Sequence, residues 1–259
     1  MLSGISVCRV SVSRLECGAP VELQPLPWDS QFLGYSVARI SGVSNLPALA
    51  QVRRRMTEQG VRLACWAGHT LQPELAACFV VSQLELRASL SDPAAPDSAS
   101  GAQSALRLFD TYGTADADLT LLAQQAGWGS RFRLDPGFAP EVCDNMYRIW
   151  LDRSCRREIA DQVLLAKLGG VLAGMTTVRF SKPVARIGLV SVTPQLQGHG
   201  IGRQMLFHVL RAAARAGCSE LAVVTQMQNM AAVRLYQSAG FRPFEMLHWY
   251  HIRAQEQPA

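Results

Sequence analysis

VSVTPQLQGHGIGR, residues 190–203, is a β-branched run that meets Pro194 and then a loop with glycine at 198, 200 and 202. Proline offers no amide donor and so ends a strand. From there Ile201, Met205 and Val209, with Leu206, Leu210 and Ala213 beside them, recur at helical spacing, which predicts a helix over 198–216 with one core-facing side. A strand that enters a glycine turn and then a helix start is an anion site on physical grounds. The first helical N–H groups have no partner within the helix, the dipole is positive at that end, and glycine lets backbone amides come close to a phosphate.

Working outward, residues 105–253 read as a strand over 105–109, a helix over 117–126 capped by Asp116 or Asp118, and a loop or short turn over 128–136 carrying Arg131 and Arg133. A helix over 140–157, two strands meeting at Gly169-Gly170, a central strand over 186–192, the glycine loop and its helix follow. The strand over 220–225 then leads to Asn229, a good N-cap for a helix that carries Tyr236 and stops at Gly240. Asn229 and Tyr236 are seven residues apart, close to two turns, and so share a face. In the closing segment, alternation sets Phe244, Met246, His248, Tyr250 and Ile252 against Glu245, Leu247, Trp249, His251 and Arg253, so the two histidines face opposite ways.

Before this block, residues 1–90 form a small α/β unit with strands over 36–40, 61–66 and 79–90, a helix over 47–59 and a short helix over 73–78. Residues 1–22 receive no assignment. Ser89 to Ser104, SLSDPAAPDSASGAQS, cannot bury apolar surface and reads as an exposed linker. The expected organisation is therefore an N-terminal domain over 1–90, a linker over 91–104 and a second domain over 105–259. At 259 residues the chain is long enough for two domains, a typical domain being roughly 100–200 residues.

Composition is that of ordinary globular material, 49% hydrophobic and 17% charged, with a net charge of +5. Lys167 and Lys182 are the only lysines, and no basic run reaches five residues, so the charge makes no case for nucleic acid. The seven cysteines are scattered, odd in number and without C-x-x-C spacing, which argues against a disulfide framework or a zinc site and for a reducing cytoplasm. No metal is expected. The apolar reach over 163–178 is broken by Lys167 and a Gly-Gly turn and reads as a hairpin, so membrane insertion is not expected.

Gln197-Gly198-His199-Gly200-Ile201-Gly202 resembles the GNAT superfamily pattern of Gln or Arg, two residues, Gly, one residue, then Gly or Ala. The order of elements over 105–253, taken with a final strand pair, resembles the same superfamily. The resemblance implies an α/β (α+β) GNAT acetyltransferase fold with a smaller N-terminal α/β domain. It also implies acetyl-CoA as cosubstrate, its pyrophosphate held by Gln197, Gly198, His199, Gly200, Ile201, Gly202 and Arg203. His199 sits where the superfamily uses only a backbone amide, and reads as a solvent-facing turn residue.

Carried over on the same grounds, Asn229 positions the pantetheine arm, Tyr236 is the general acid, and an amide near Val190 or Val192 is the oxyanion donor. No general base stands out among Glu141, Asp144, Glu245, His248 and His251. Trp28-Asp29-Ser30 with Phe32 and Gly34, Ser130 to Arg133 with Asp135-Pro136, Ala185 to Leu189, and Thr225 to Asn229 with Tyr236 look together like the dTDP-fucosamine acetyltransferases. That resemblance implies acetylation of a dTDP-4-amino-4,6-dideoxyhexose on the way to a cell-surface polysaccharide. Arg131 and Arg133, set on one side of an extended segment, would bind the nucleotide diphosphate. Trp28 and Phe32 fit a hydrophobic anchor between the domains, or substrate-side aromatics. GNAT proteins often dimerise, which makes a homodimer one expected assembly.

Overall fold

The computed structural model describes residues 21–90 and 106–254. The expected linker over 91–104 and the opening residues lie outside the described residues. Two compact units emerge, one holding the described residues up to Gln83 and those from Met246 on, the other Leu84–Glu245.

The first unit contains β1 (Glu22–Pro25), α1 (Pro27–Leu33), β2 (Val37–Ser41), α2 (Leu49–Glu58), β3 (Leu63–Gly68) and a 3-10 turn over Pro73–Cys78. It also takes the first part of β4 (Phe79–Ser89) and the last part of β10 (Arg242–Arg253). β1 and β2 are antiparallel, β2 and β3 parallel, and β10 lies antiparallel to β3 with His248 opposite Gly68 and Arg253 opposite Leu63. Trp66, Met56, Val52, Tyr250 and Ile252 form its core. The Tyr250 hydroxyl accepts the backbone N–H of Gln72 at 2.9 Å.

This corrects the expected boundary. The closing strand, expected within residues 105–259, packs in the first unit from Met246 on. Its apolar face is buried against Trp66 and Met56, and its register is with β3. A second correction concerns the expected final strand pair, which is one continuous 12-residue strand. After Pro243 nothing in it interrupts the alternation.

In the second unit the sheet order is β4-β9-β8-β7-β6-β5, with β5 (Leu106–Asp110), β6 (Gln162–Leu168), β7 (Val171–Arg179), β8 (Val184–Val192) and β9 (Glu220–Gln226). Helices α3 (Ala117–Ala126) and α5 (Pro140–Cys155) cover one face, packing Leu119, Leu122, Tyr147 and Leu151 on Val163, Leu165, Met175 and Leu189. Helices α6 (Ile201–Arg215) and α7 (Met230–Ser238) contribute Ile201, Met205, Val209, Val233 and Tyr236 to the core on the other face. Gly169 and Gly170, both at positive φ, make the β6–β7 hairpin turn that the sequence suggests.

Candidate active site

The central feature is an opening between β8 and β9. These parallel strands are in register from Val184 opposite Glu220 to Arg186 opposite Ala222, while β8 continues to Val192 and β9 to Gln226. Charges fasten the closed end. Arg186 bonds Glu85 at 3.1 Å, Glu85 bonds Arg87 at 2.6 Å, and Arg87 reaches Glu220 at 2.9 Å, tying β8, β4 and β9 together.

On its other edge β8 stays paired with β7, with Val192 opposite Gly174, Ser191 opposite Met175 and Val190 opposite Thr176. The N–H of Thr193 donates to the carbonyl of Ala173 at 2.9 Å. Bonded and non-bonded pairs alternate in an antiparallel ladder. The peptide groups of Val192 and Val190 therefore turn away from β7, toward the opening. The carbonyl of Val192 accordingly accepts two side-chain amides, Gln125 Nε2 at 3.2 Å and Gln197 Nε2 at 3.1 Å.

Past Val192 a 3-10 turn over Pro194–Leu196 intervenes, and α6 begins at Ile201, three residues later than the periodicity suggests. The delay has a plain cause: Gly198 and Gly200 have φ of 79° and 77°, values a right-handed helix excludes. No side chain caps α6, so its first-turn amides stay available to an anion. His199 is exposed, its Nδ1 2.9 Å from the carbonyl of Gln197. Arg203 is also exposed, with its guanidinium 4.6 Å from the centre of the Phe207 ring.

Asn229 caps α7, its side-chain oxygen accepting the N–H of Ala232 at 3.1 Å. The side-chain NH2 is what it has left to offer a ligand. Tyr236 is buried, its ring tilted against Phe241 at 5.8 Å. Among the described residues none hydrogen-bonds its hydroxyl, and burial alone pushes the phenol far above the usual tyrosine range, so it stays protonated.

Arg131 and Arg133 depart from the expected extended segment. Ser130 caps a four-residue helix, α4 (Arg131–Leu134), accepting the N–H of Arg133 at 3.3 Å. Residues two apart on a helix point about 200° apart, and the two guanidiniums diverge. Arg133 pairs with Asp144 on α5, while Arg131 lies 4.6 Å from the Phe132 ring centre.

Of the candidate bases, Glu141 is exposed in the first turn of α5 and Asp144 is engaged by Arg133. Glu245 lies on β10, while His248 and His251 belong to the first unit. There the Nδ1 of His248 is 2.8 Å from Ser82 Oγ, and burial, with the nearby His69 adding to it, lowers the imidazole pKa. Among the described residues no group of three or more His, Cys, Asp or Glu side chains could hold a metal. No described helix is long and apolar enough to cross a membrane.

Gln125 and Ser191 escaped the reading of the sequence. Gln125 acts on a backbone carbonyl 67 residues away, which no local pattern announces.

Comparison with known proteins bears on the fold and the family. Residues 131–241 match the acetyltransferase (GNAT) family. The chain is 28% identical over 231 residues to a dTDP-fucosamine acetyltransferase of Escherichia coli O6:H1, covering 88% of this chain and 97% of that protein. It is 23% identical over 131 residues to the spore coat polysaccharide biosynthesis protein SpsD of Bacillus subtilis, covering 51% of this chain and 45% of that one. Among solved structures, a GCN5-related N-acetyltransferase from Sphaerobacter thermophilus superposes with a TM-score of 0.58 at 14% identity, over 92% of this chain and 78% of its own.

Proposed function

Residues 131–241 being a GNAT acetyltransferase domain, we propose that this chain acetylates the amino group of a dTDP-linked 4-amino-4,6-dideoxyhexose with acetyl-CoA. The observation that carries the substrate is the likeness to a dTDP-fucosamine acetyltransferase over 97% of that protein's length, well beyond the acetyltransferase domain alone. The product then serves a cell-surface polysaccharide, and the reaction runs in the cytoplasm.

Bound acetyl-CoA supplies an activated acetyl group and a leaving thiolate. The amides of the loop over Gly198, His199 and Gly200 and of Ile201, Gly202 and Arg203 would hold its pyrophosphate, with Gln197 fixing the loop to the strand. The Asn229 side-chain NH2 would bond the pantetheine arm. The N–H groups of Val190 and Val192 face the opening and would stabilise the oxyanion. Tyr236 protonates the departing sulfur. A thiol has a reference pKa of about 8.5 and tyrosine about 10, so the transfer is slightly uphill in water. The burial that raises Tyr236 disfavours the thiolate beside it too, which keeps the two values close. The acceptor ammonium first gives up a proton, directly or through water, to a carboxylate such as Glu141. Arg133 would meet the diphosphate by exchanging Asp144 for phosphate oxygen, while Arg131, turned the other way on the same helical turn, is left to another part of the substrate.

The test is thiol release from acetyl-CoA with dTDP-4-amino-4,6-dideoxygalactose, its gluco epimer and a lysine peptide. Fast release with one sugar and none with the peptide is the expected result. Release with the peptide alone would replace the sugar reading with protein acetylation.

A further inference from the structure

Two hydroxyls on neighbouring strands, Thr176 Oγ1 on β7 and Ser191 Oγ on β8, which borders the opening, are buried without a hydrogen-bond partner among the described residues. Thr176 is fully buried and Ser191 is 6% exposed. The ladder places them on opposite faces of the sheet, for Thr176 stands opposite Val190 while Ser191 stands opposite Met175. Met175 and Leu189 belong to the core under α3 and α5. Val190 and Val192 pack with the core on the α6 side, which includes Tyr236. Ser191 thus lies between the two peptide groups that face the opening, with its side chain on the face away from Tyr236.

A buried hydroxyl with no partner destabilises the fold, and native proteins keep few of them without a use.

We propose that Ser191 binds the acceptor, its Oγ accepting a hydrogen bond from the N–H of the attacking amine. The amine then approaches the thioester from the α3 and α5 side of β8 while Tyr236 serves the sulfur from the α6 side. One hydroxyl orients the nucleophile and the other protonates the leaving group. This assignment rests on the proposed N-acetyl transfer but holds for whichever amine is the acceptor.

Ser191→Ala tests it, with kcat and KM measured for both substrates on the amine that the parent turns over best, beside acetyl-CoA binding by calorimetry and thermal unfolding. A fall of tenfold or more in kcat/KM for the amine is expected, with acetyl-CoA affinity within twofold and a Tm equal to or above the parent's. Thr176→Val, which removes an equally buried hydroxyl from the other face, should leave the KM for the amine within twofold. Unchanged amine kinetics in Ser191→Ala would overturn the assignment. So would a loss shared equally by acetyl-CoA binding and Tm, or the same amine defect in Thr176→Val. A parent that turns over no amine removes the transfer reading itself and this assignment with it, an outcome distinct from an active parent with an indifferent Ser191→Ala.

Discussion

Gly202 on α6 stands so close to Leu235 on α7 that a β-carbon on the glycine would lie 3.0 Å from Leu235 Cδ2. The same carbon would come 3.5 Å from Val192 Cγ2. The loop glycines therefore do two jobs. Gly198 and Gly200 supply positive φ, whereas Gly202, inside the helix, lets α6 sit against α7 and the end of β8.

Gly202→Val should destabilise the protein by about 1–3 kcal/mol, the cost of overpacking a close contact, and should raise the KM for acetyl-CoA by displacing the first turn of α6. Gly198→Ala has open space for its β-carbon and suffers only from its backbone, about 1–2 kcal/mol. Urea unfolding of the two variants separates these origins, because enlarging the side chain further should worsen position 202 but not position 198.

Tyr236→Phe should lower kcat by about 10²–10⁴, the usual worth of a placed proton donor, with little change in the KM for acetyl-CoA. A pH effect follows from the raised phenol. The native state keeps the proton that the unfolded chain loses near pH 10, so the stability from the neutral, buried form is whole below that pH and is lost as pH rises toward the native pKa. Tyr147, whose pKa burial also raises, acts in the same direction. Unfolding free energies measured from pH 8 to 11 should fall more steeply above pH 10 in the parent than in Tyr236→Phe.

Arg133 and Asp144 are partly exposed, with side chains 22% and 37% accessible. Solvent screening limits such a pair to about 0.2–1 kcal/mol, and a double-mutant cycle by chemical denaturation should return a coupling in that range. Asp144→Asn should also lower the KM for the dTDP-sugar, since Arg133 no longer has to leave a carboxylate. An unchanged or higher KM would argue against Arg133 as a diphosphate ligand.

Ser30 in the WDS segment donates to the carbonyl of Leu26 at 2.8 Å and accepts the N–H of Val37 at 2.9 Å, tying α1 to β2. Ser30→Ala leaves that N–H without its acceptor and should cost about 1–3 kcal/mol, visible as a lower Tm. The turnover of a correctly folded fraction should be unaffected, since Trp28 and Phe32 stack on each other, ring centres 5.2 Å apart, on the same helix.

The sequence carried those features whose cause is local. Pro194 with the glycines at 198 and 200 marks a strand end and a helix start, Asn229 marks a cap, Gly169-Gly170 marks a hairpin, and alternation along 244–253 marks a strand. A backbone preference or a period of two or 3.6 suffices for each. Between a loop and a short turn over 128–136 the sequence does not choose, because Ser130 capping the single turn of α4 leaves no periodic apolar pattern; the helical turn overturns the expectation that Arg131 and Arg133 point the same way.

Tertiary structure alone decided the features that join distant residues. Among them are the release of β8 from β9 beyond Arg186 and the two glutamine amides on the carbonyl of Val192. The packing of residues 246–253 in the first unit and the burial of Ser191 without a partner are of the same kind. Hydrogen-bond pairing and burial depend on which segments meet. A sequence writes its local preferences residue by residue, but the meeting of segments is set by the combined packing of the whole sheet.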